Sequence, residues 1–207
     1  MKHSSVCCGL FIILCTTFLS TFSFSQSSSS GDKKMPSQEE MMARWKESMT
    51  PGDMHKKLEI FVGSWNAESK TWDKGPNSPP TISKGTAQYS LVLGGRYLKE
   101  EFKGEMMGQH FVGTGYTAYD NMKKKYTGTW IDNMGTAIST MEGTMDDEGK
   151  TLTFWGKMDD AMTGEMNQDV KYVYRIIDKN KHIFESYMGA SAQPNFQITY
   201  TRKNRNL

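Results

Sequence analysis

From Ser64 onward the sequence falls into ten short runs of alternating apolar and polar residues, at 64–73, 83–92, 95–104, 109–119, 125–133, 136–145, 150–159, 167–177, 181–189 and 195–203. Polar or glycine-containing turns separate them, and this spacing predicts consecutive antiparallel strands. Gly94-Gly95 suits a tight hairpin, Asp120-Asn121 opens a turn into Lys123-Lys124, and Asp146-Asp147-Glu148-Gly149 and Asp178-Lys179-Asn180-Lys181 read as hairpin loops. In Lys74-Gly75-Pro76-Asn77-Ser78-Pro79-Pro80 three prolines exclude ladder pairing and mark a longer loop between the first two strands. A meander of this length keeps two open edges unless it closes. The expected fold class is therefore all-β, a single antiparallel up-and-down β-barrel of about ten strands.

What precedes the strands is of another kind. Residues 1–25 read as an export signal: Lys2 and His3 make a basic start, Val6 to Leu19 is apolar, and Ser23-Phe24-Ser25 offers small residues for cleavage before Gln26. The apolar run is too short and wrongly flanked for a permanent span, so a soluble periplasmic or secreted product is expected. Cys7, Cys8 and Cys15, the only cysteines, all lie in this leader. The mature chain is then expected to have no disulfide, zinc-thiolate site or cysteine nucleophile. Residues 26–36, beginning with a serine run, read as a disordered linker. A helical segment follows at 37–61, before a barrel domain at 62–207. Ser37 and Glu40 form a capping-box pattern for a helix to about Met49, with Met41, Met42, Trp45 and Met49 on one side. Thr50 is the expected cap of a second helix, with Pro51 at its first position, running to about Phe61.

Charge narrows the partners. Loss of the leader removes Lys2 alone, so the 25 basic residues become 24 against 23 acidic. That balance gives no footprint for nucleic acid or for an anionic membrane surface. His55, His110 and His182 are the histidines outside the leader, each read as a partly exposed surface residue. No two are spaced to share a metal, and none sits in a recognisable nucleophile–base arrangement. The sixteen methionines raise copper(I), but they are scattered over helices, turns and strands and read better as adaptable filler. No metal, cofactor or catalytic residue is assigned.

Side chains alternate across a strand, so each run divides into two faces. In the third run Tyr97, Lys99, Glu101 and Lys103 form the charged face, which sends Arg96, Leu98, Glu100 and Phe102 inward. Arg96 and Glu100 could neutralise each other there, or could line a cavity that orients a polar ligand group. In the fifth run Tyr126, Gly128, Trp130 and Asp132 share the face whose aromatics argue for the interior. In the last, Phe196, Ile198, Tyr200 and Arg202 share a face, and Arg202 is placed to stack on Trp65 across the closing strand pair.

Several motifs together carry a resemblance: Gly63-Ser64-Trp65, Gly94-Gly95-Arg96-Tyr97-Leu98, Gly104-Glu105-Met106-Met107-Gly108, Tyr119-Asp120-Asn121, Tyr126 with Thr129-Trp130-Ile131-Asp132, Gly143-Thr144 and Thr199-Tyr200-Thr201-Arg202-Lys203. From Met54 to Lys203 the chain resembles a bacterial domain-of-unknown-function family, the one numbered 1579. The resemblance implies a lipocalin-like or fatty-acid-binding-protein-like barrel that is often exported, with no established activity and no catalytic residues to carry over. The chain is also similar to nitrobindin, a ten-stranded haem barrel opening with Gly-x-Trp. There the iron ligand is a histidine near the start of the last strand, where this chain reads Pro194-Asn195-Phe196-Gln197-Ile198. Haem is therefore not expected, and only His182 could substitute.

The expected function is that of a non-enzymatic binding module for a small, largely apolar or amphipathic ligand. Arg96, Glu100, Tyr126 and Trp130 are the candidate ligand-binding residues, with Tyr116 and Tyr187 behind them. Two alternatives stay open. One is a solid-core structural protein whose helices mediate assembly, marked by an exposed apolar stripe including Trp45. The other is an isomerase, cyclase or hydrolase using Arg96 and Glu100 as stabiliser and base, marked by a carboxylate of strongly raised pKa in a pocket. The oligomeric state is left open.

Overall fold

The structure, a computed structural model, describes residues 35–204 apart from Lys74 and Pro76. The leader and all but the last two residues of the linker lie outside the described residues. Helix α1 spans Gln38–Met49 and α2 spans Asp53–Lys56, continued by a 3-10 turn over Lys57–Phe61. Ten strands follow: β1 Gly63–Thr71, β2 Thr81–Val92, β3 Tyr97–Met106, β4 Gln109–Asp120, β5 Lys125–Asp132, β6 Ser139–Met145, β7 Thr151–Met158, β8 Gln168–Asp178, β9 Lys181–Met188 and β10 Phe196–Arg202. Each pairs antiparallel with its sequence neighbours, and β1 also pairs with β10, so the sheet closes into a barrel. Among the described residues no helix is long and apolar enough to cross a membrane.

One end of the barrel is plugged by its own entering segment. Leu58 and Phe61, three residues apart in the 3-10 turn, fall on one side of it and are buried in the core. Phe61 packs on Tyr89, Tyr174 and His182, and Tyr126 Oη donates to the Met54 carbonyl at 2.8 Å. The second helix differs from the expected one. Thr50 is not its cap; its Oγ1 donates back to the Lys46 carbonyl at the end of α1. Gly52, in extended conformation, precedes Asp53 instead, and its N–H donates to His55 Nδ1 at 3.1 Å. Extended backbone at Gly52 lets the chain leave α1 and still aim the plug into the barrel.

The plug is latched by Arg202. Its guanidinium stacks 4.0 Å from the Trp65 ring and donates to the carbonyls of Lys179, Val62 and Ile60 at 2.6, 2.6 and 2.8 Å. Trp65 Nε1 in turn donates to the Phe61 carbonyl at 2.7 Å. This arrangement explains Gly63, which lies at φ +132°, where a side chain would also meet Arg202 Nη1 at 2.5 Å. Gly63→Ala is expected to lower stability by about 2 kcal/mol, from backbone strain and a displaced guanidinium. Denaturant melts of Gly63→Ala, Arg202→Ala and the double variant check it, since a shared latch makes the two losses less than additive.

Helix α1 lies outside this core, and none of its residues is buried. Its apolar side faces solvent, with Trp45 57% exposed and Met41, Met42 and Met49 exposed beside it. Polar contacts hold its end: Asn121 Nδ2 donates to the carbonyls of Glu47 and Thr50, and Arg96 Nη2 donates to that of Met49 at 2.8 Å.

Candidate functional site

The plug leaves the opposite end of the barrel as the place where the lumen can meet solvent. Inward-facing Trp130, Met141, Tyr172, Phe184 and Phe196 are only half-buried although they point into the barrel, whereas inward residues nearer the plug, such as Trp65, Tyr126 and Leu152, are buried. Phe184 stands midway along β9, opposite Ile198 and Tyr174. The lumen wall is aromatic: Tyr172 stacks on Phe184, Phe184 packs on Tyr174 and Phe196, and Trp130 stacks on Phe111. Trp130 can lie flat because Gly113 and Gly115 face it, and a Cβ at either would run into the indole. Its Nε1 donates to Asp132 at 2.9 Å.

Deeper in, Glu100 is 8% exposed. Its Oε1 accepts from Tyr200 Oη at 3.1 Å, a contact that reaches from β3 to β10 over the small Ala67 and Ala87 of the two strands between them. Among the described residues no cation forms an ion pair with it. Burial raises the Glu100 pKa to about 7, and the neighbouring hydroxyls of Tyr89 and Tyr200 only partly counter it. Tyr89, opposite Glu100 in the ladder, lies close enough to favour the charged carboxylate, yet its buried Oη falls outside hydrogen-bonding geometry and has no partner. Burial pushes the phenols of Tyr89, Tyr174 and Tyr200 well above their ordinary range, so all three stay neutral.

His182 lies between this cluster and the plug. It is 1% exposed, stacked on Tyr200 at 4.4 Å and edge-on to Trp65, Phe61 and Tyr89. Neither ring nitrogen has a hydrogen-bond partner. Burial, helped by the nearby charge of Arg202, drives its pKa down to about 3, so the ring is neutral. The expectation of a partly exposed histidine is thus corrected for His182, and also for His55, which is buried within the plug segment, edge-on to Tyr119. His110 is exposed.

The expected site residues divide. Glu100, Tyr126 and Trp130 face the interior, although Tyr126 sits at the plugged end with its hydroxyl already bonded. Arg96 is not inside. It ends the β2–β3 turn, and its guanidinium is taken by the Leu93 and Met49 carbonyls, because in-phase alternation stops counting once the strand has ended. Tyr116 lies on the outer face of β4 and is exposed. Tyr187 also points outward; its hydroxyl donates to Glu185, which accepts from Arg175 as well, and Lys171 covers its ring. Tyr89, Tyr174, Tyr200 and His182 were not among the expected site residues. Their phase with Ala87, Tyr172, Ile198 and Phe184 marks them as inward; Tyr89 meets Glu100 across the β2–β3 hairpin, but only closure brings β8, β9 and β10 to its other side. A shallow groove of about 500 Å³ also exists outside the barrel, between α1 and the β4–β5 turn, lined by Ala43, Lys46, Thr50, Pro51, Asn121 and Lys124. It is open to solvent and holds no buried polar group, so the lumen is the stronger candidate.

Comparison with known proteins agrees with this architecture. A family model described as a protein of unknown function (DUF1579) matches residues 50–202, from the start of the plug segment to the end of β10. No curated protein matches the chain. The crystal structure of Rv2717c from M. tuberculosis superposes with a TM-score of 0.54 at 17% identity, covering 75% of this chain and 100% of that one. The S-type phycobiliprotein lyase CPES from Guillardia theta gives 0.49 at 12% identity, covering 83% of this chain and 100% of that one. At this identity the likeness to Rv2717c is one of fold.

Proposed function

This chain belongs to the DUF1579 family of proteins of unknown function, and from that premise we propose that it is an exported binding protein whose barrel lumen holds a small, largely apolar molecule. The observation that supports the reading is the set of inward aromatic and methionine side chains left half-buried at the end opposite the plug. An aromatic inner wall that is not fully buried fits a small barrel that holds one ligand. Export rests on the leader pattern of residues 1–25. Native mass spectrometry of the purified protein, followed by extraction and identification of any passenger, tests the reading. The expected result is one apolar molecule per chain, released on unfolding. An empty protein whose melting temperature ignores panels of fatty alcohols, fatty acids, flavins and haem would overturn it.

Two observations bear on other readings. The exposed apolar side of α1, with Trp45, favours a role for that helix in self-association, which sedimentation of wild type and Trp45→Glu would register as a change in mass. The raised pKa of Glu100 is the property that acid–base work requires. The pairing of Glu100 with Arg96 as base and stabiliser has lost its second member, whose guanidinium is bound outside the lumen.

A further inference from the structure

Glu100 poses a question of charge. A carboxyl group in the middle of an apolar barrel is costly to ionise, and in a protein built only for stability a glutamine or a leucine would serve better. Yet none of the described lysines or arginines is paired with Glu100. Among the described residues the titratable groups around it come from β2, β8, β9 and β10, Gly115 of β4 being opposite it on the other side, and none supplies a cation. Tyr89 on β2, Tyr174 on β8 and Tyr200 on β10 are neutral phenols, and His182 on β9 is a neutral imidazole. Arg202, at the end of β10, is spent on Trp65 and three carbonyls at the plug. Tyr89 adds an independent sign, since its Oη is buried beside Glu100 without a partner.

The geometry points to an apolar molecule ending in an ammonium group as the ligand of the lumen, its head against Glu100 among Tyr89, Tyr174 and Tyr200 and its body along Phe184, Tyr172 and Trp130. An ammonium supplies the missing countercharge. It donates to the Glu100 oxygens and to Tyr89 Oη, and it is attracted by tyrosine ring faces. A carboxylate or phosphate head would instead meet a carboxyl that no described lysine or arginine pairs with, so anionic lipids are selected against. The Tyr200 hydroxyl, already donating to Oε1, fixes the carboxyl so that its remaining lone pairs are available to the head group.

The inference rests on the lumen being a ligand site, and its test separates the two. Octylamine, octanol and octanoic acid, identical in body and different in head, are titrated calorimetrically into the purified wild type and Glu100→Gln at about pH 8, where Glu100 is mostly ionised. The amine is expected to bind wild type at least about tenfold more tightly than the alcohol, as a charge-assisted hydrogen bond would give, with the acid weakest. Glu100→Gln is expected to abolish the preference for amine over alcohol. Alcohol binding without an amine preference, or a preference that survives Glu100→Gln, overturns the ammonium assignment and leaves the lumen reading standing. Failure of all three to bind overturns both.

Discussion

Replacing Trp65 by alanine is expected to lower the free energy of unfolding by about 3–5 kcal/mol, one of the largest losses a single substitution in this barrel can produce. The side chain is 1% exposed, and three other groups depend on it. Arg202 loses the ring it stacks on, the Phe61 carbonyl loses the indole N–H, and His182 loses an edge-on neighbour 4.4 Å away. Since Arg202 also holds the carbonyls of Ile60 and Val62, the cavity opens at the joint between plug and barrel, where β1 meets β10. Urea unfolding of Trp65→Ala and Trp65→Phe measures it. Phenylalanine keeps a ring for Arg202 and should retain part of the loss, whereas a change under about 1 kcal/mol for alanine would mean the latch contributes nothing.

Glu100→Gln is expected to leave stability unchanged near pH 4.5 and to raise it by about 3 kcal/mol at pH 8, the difference growing steadily between those values. The carboxyl titrates at 4.5 in the unfolded chain and at about 7 in the folded one, so over that interval the native state holds a proton that the unfolded state has released. Its contribution is complete below 4.5 and is lost as the pH rises through 7. His182 acts in the other direction. Its pKa falls from 6.5 to about 3 on folding, so the unfolded chain takes up a proton that the native ring refuses. The His182 contribution is complete above 6.5 and is lost as the pH falls towards 3. Between 4.5 and 6.5 the two slopes oppose, which should give wild type a plateau where Glu100→Gln shows a slope of about 1.4 kcal/mol per pH unit. Chemical denaturation across that range decides. Parallel curves for the two proteins would show that Glu100 ionises in the barrel as it does in water.

This opposition bears on function. At neutral pH the native protein tolerates a carboxyl that a glutamine would relieve, a stability cost of the kind that function imposes. A gain in stability coupled to a loss of amine selectivity in the same variant would tie the two together.

How far the sequence alone reached can be followed residue by residue. The ten strands, the hairpins between them and the inward phase of Leu98, Glu100 and Phe102 follow from alternation, because a pleated strand has only two faces and charged side chains choose the wet one. The stacking of Arg202 on Trp65 was equally legible, since closure of a ten-strand meander makes the first and last strands neighbours. Arg96, Tyr116 and Tyr187 show where alternation runs out. Arg96 is in phase with Glu100 but sits in the turn, where a guanidinium reaches carbonyls more readily than the core. Tyr116 and Tyr187 are large aromatics on the outer face, one exposed and one covered by Lys171. Residue type does not report face unless the strand's phase is known.

Fold class and the phase of such strands as β3 were thus written into local pattern, which any short stretch of chain carries by itself. Only the tertiary structure decided that Tyr174, Tyr200 and His182 would gather around or beneath Glu100 beside Tyr89, and that none of the described lysines or arginines would pair with it. Tyr89 faces Glu100 across the β2–β3 hairpin, whereas the residues of β8, β9 and β10 meet it only through barrel closure and over small residues such as Ala67 and Ala87 that let side chains reach across. Contact between strands so far apart in sequence is a property of the closed sheet, and the charge state of Glu100 is set by that contact.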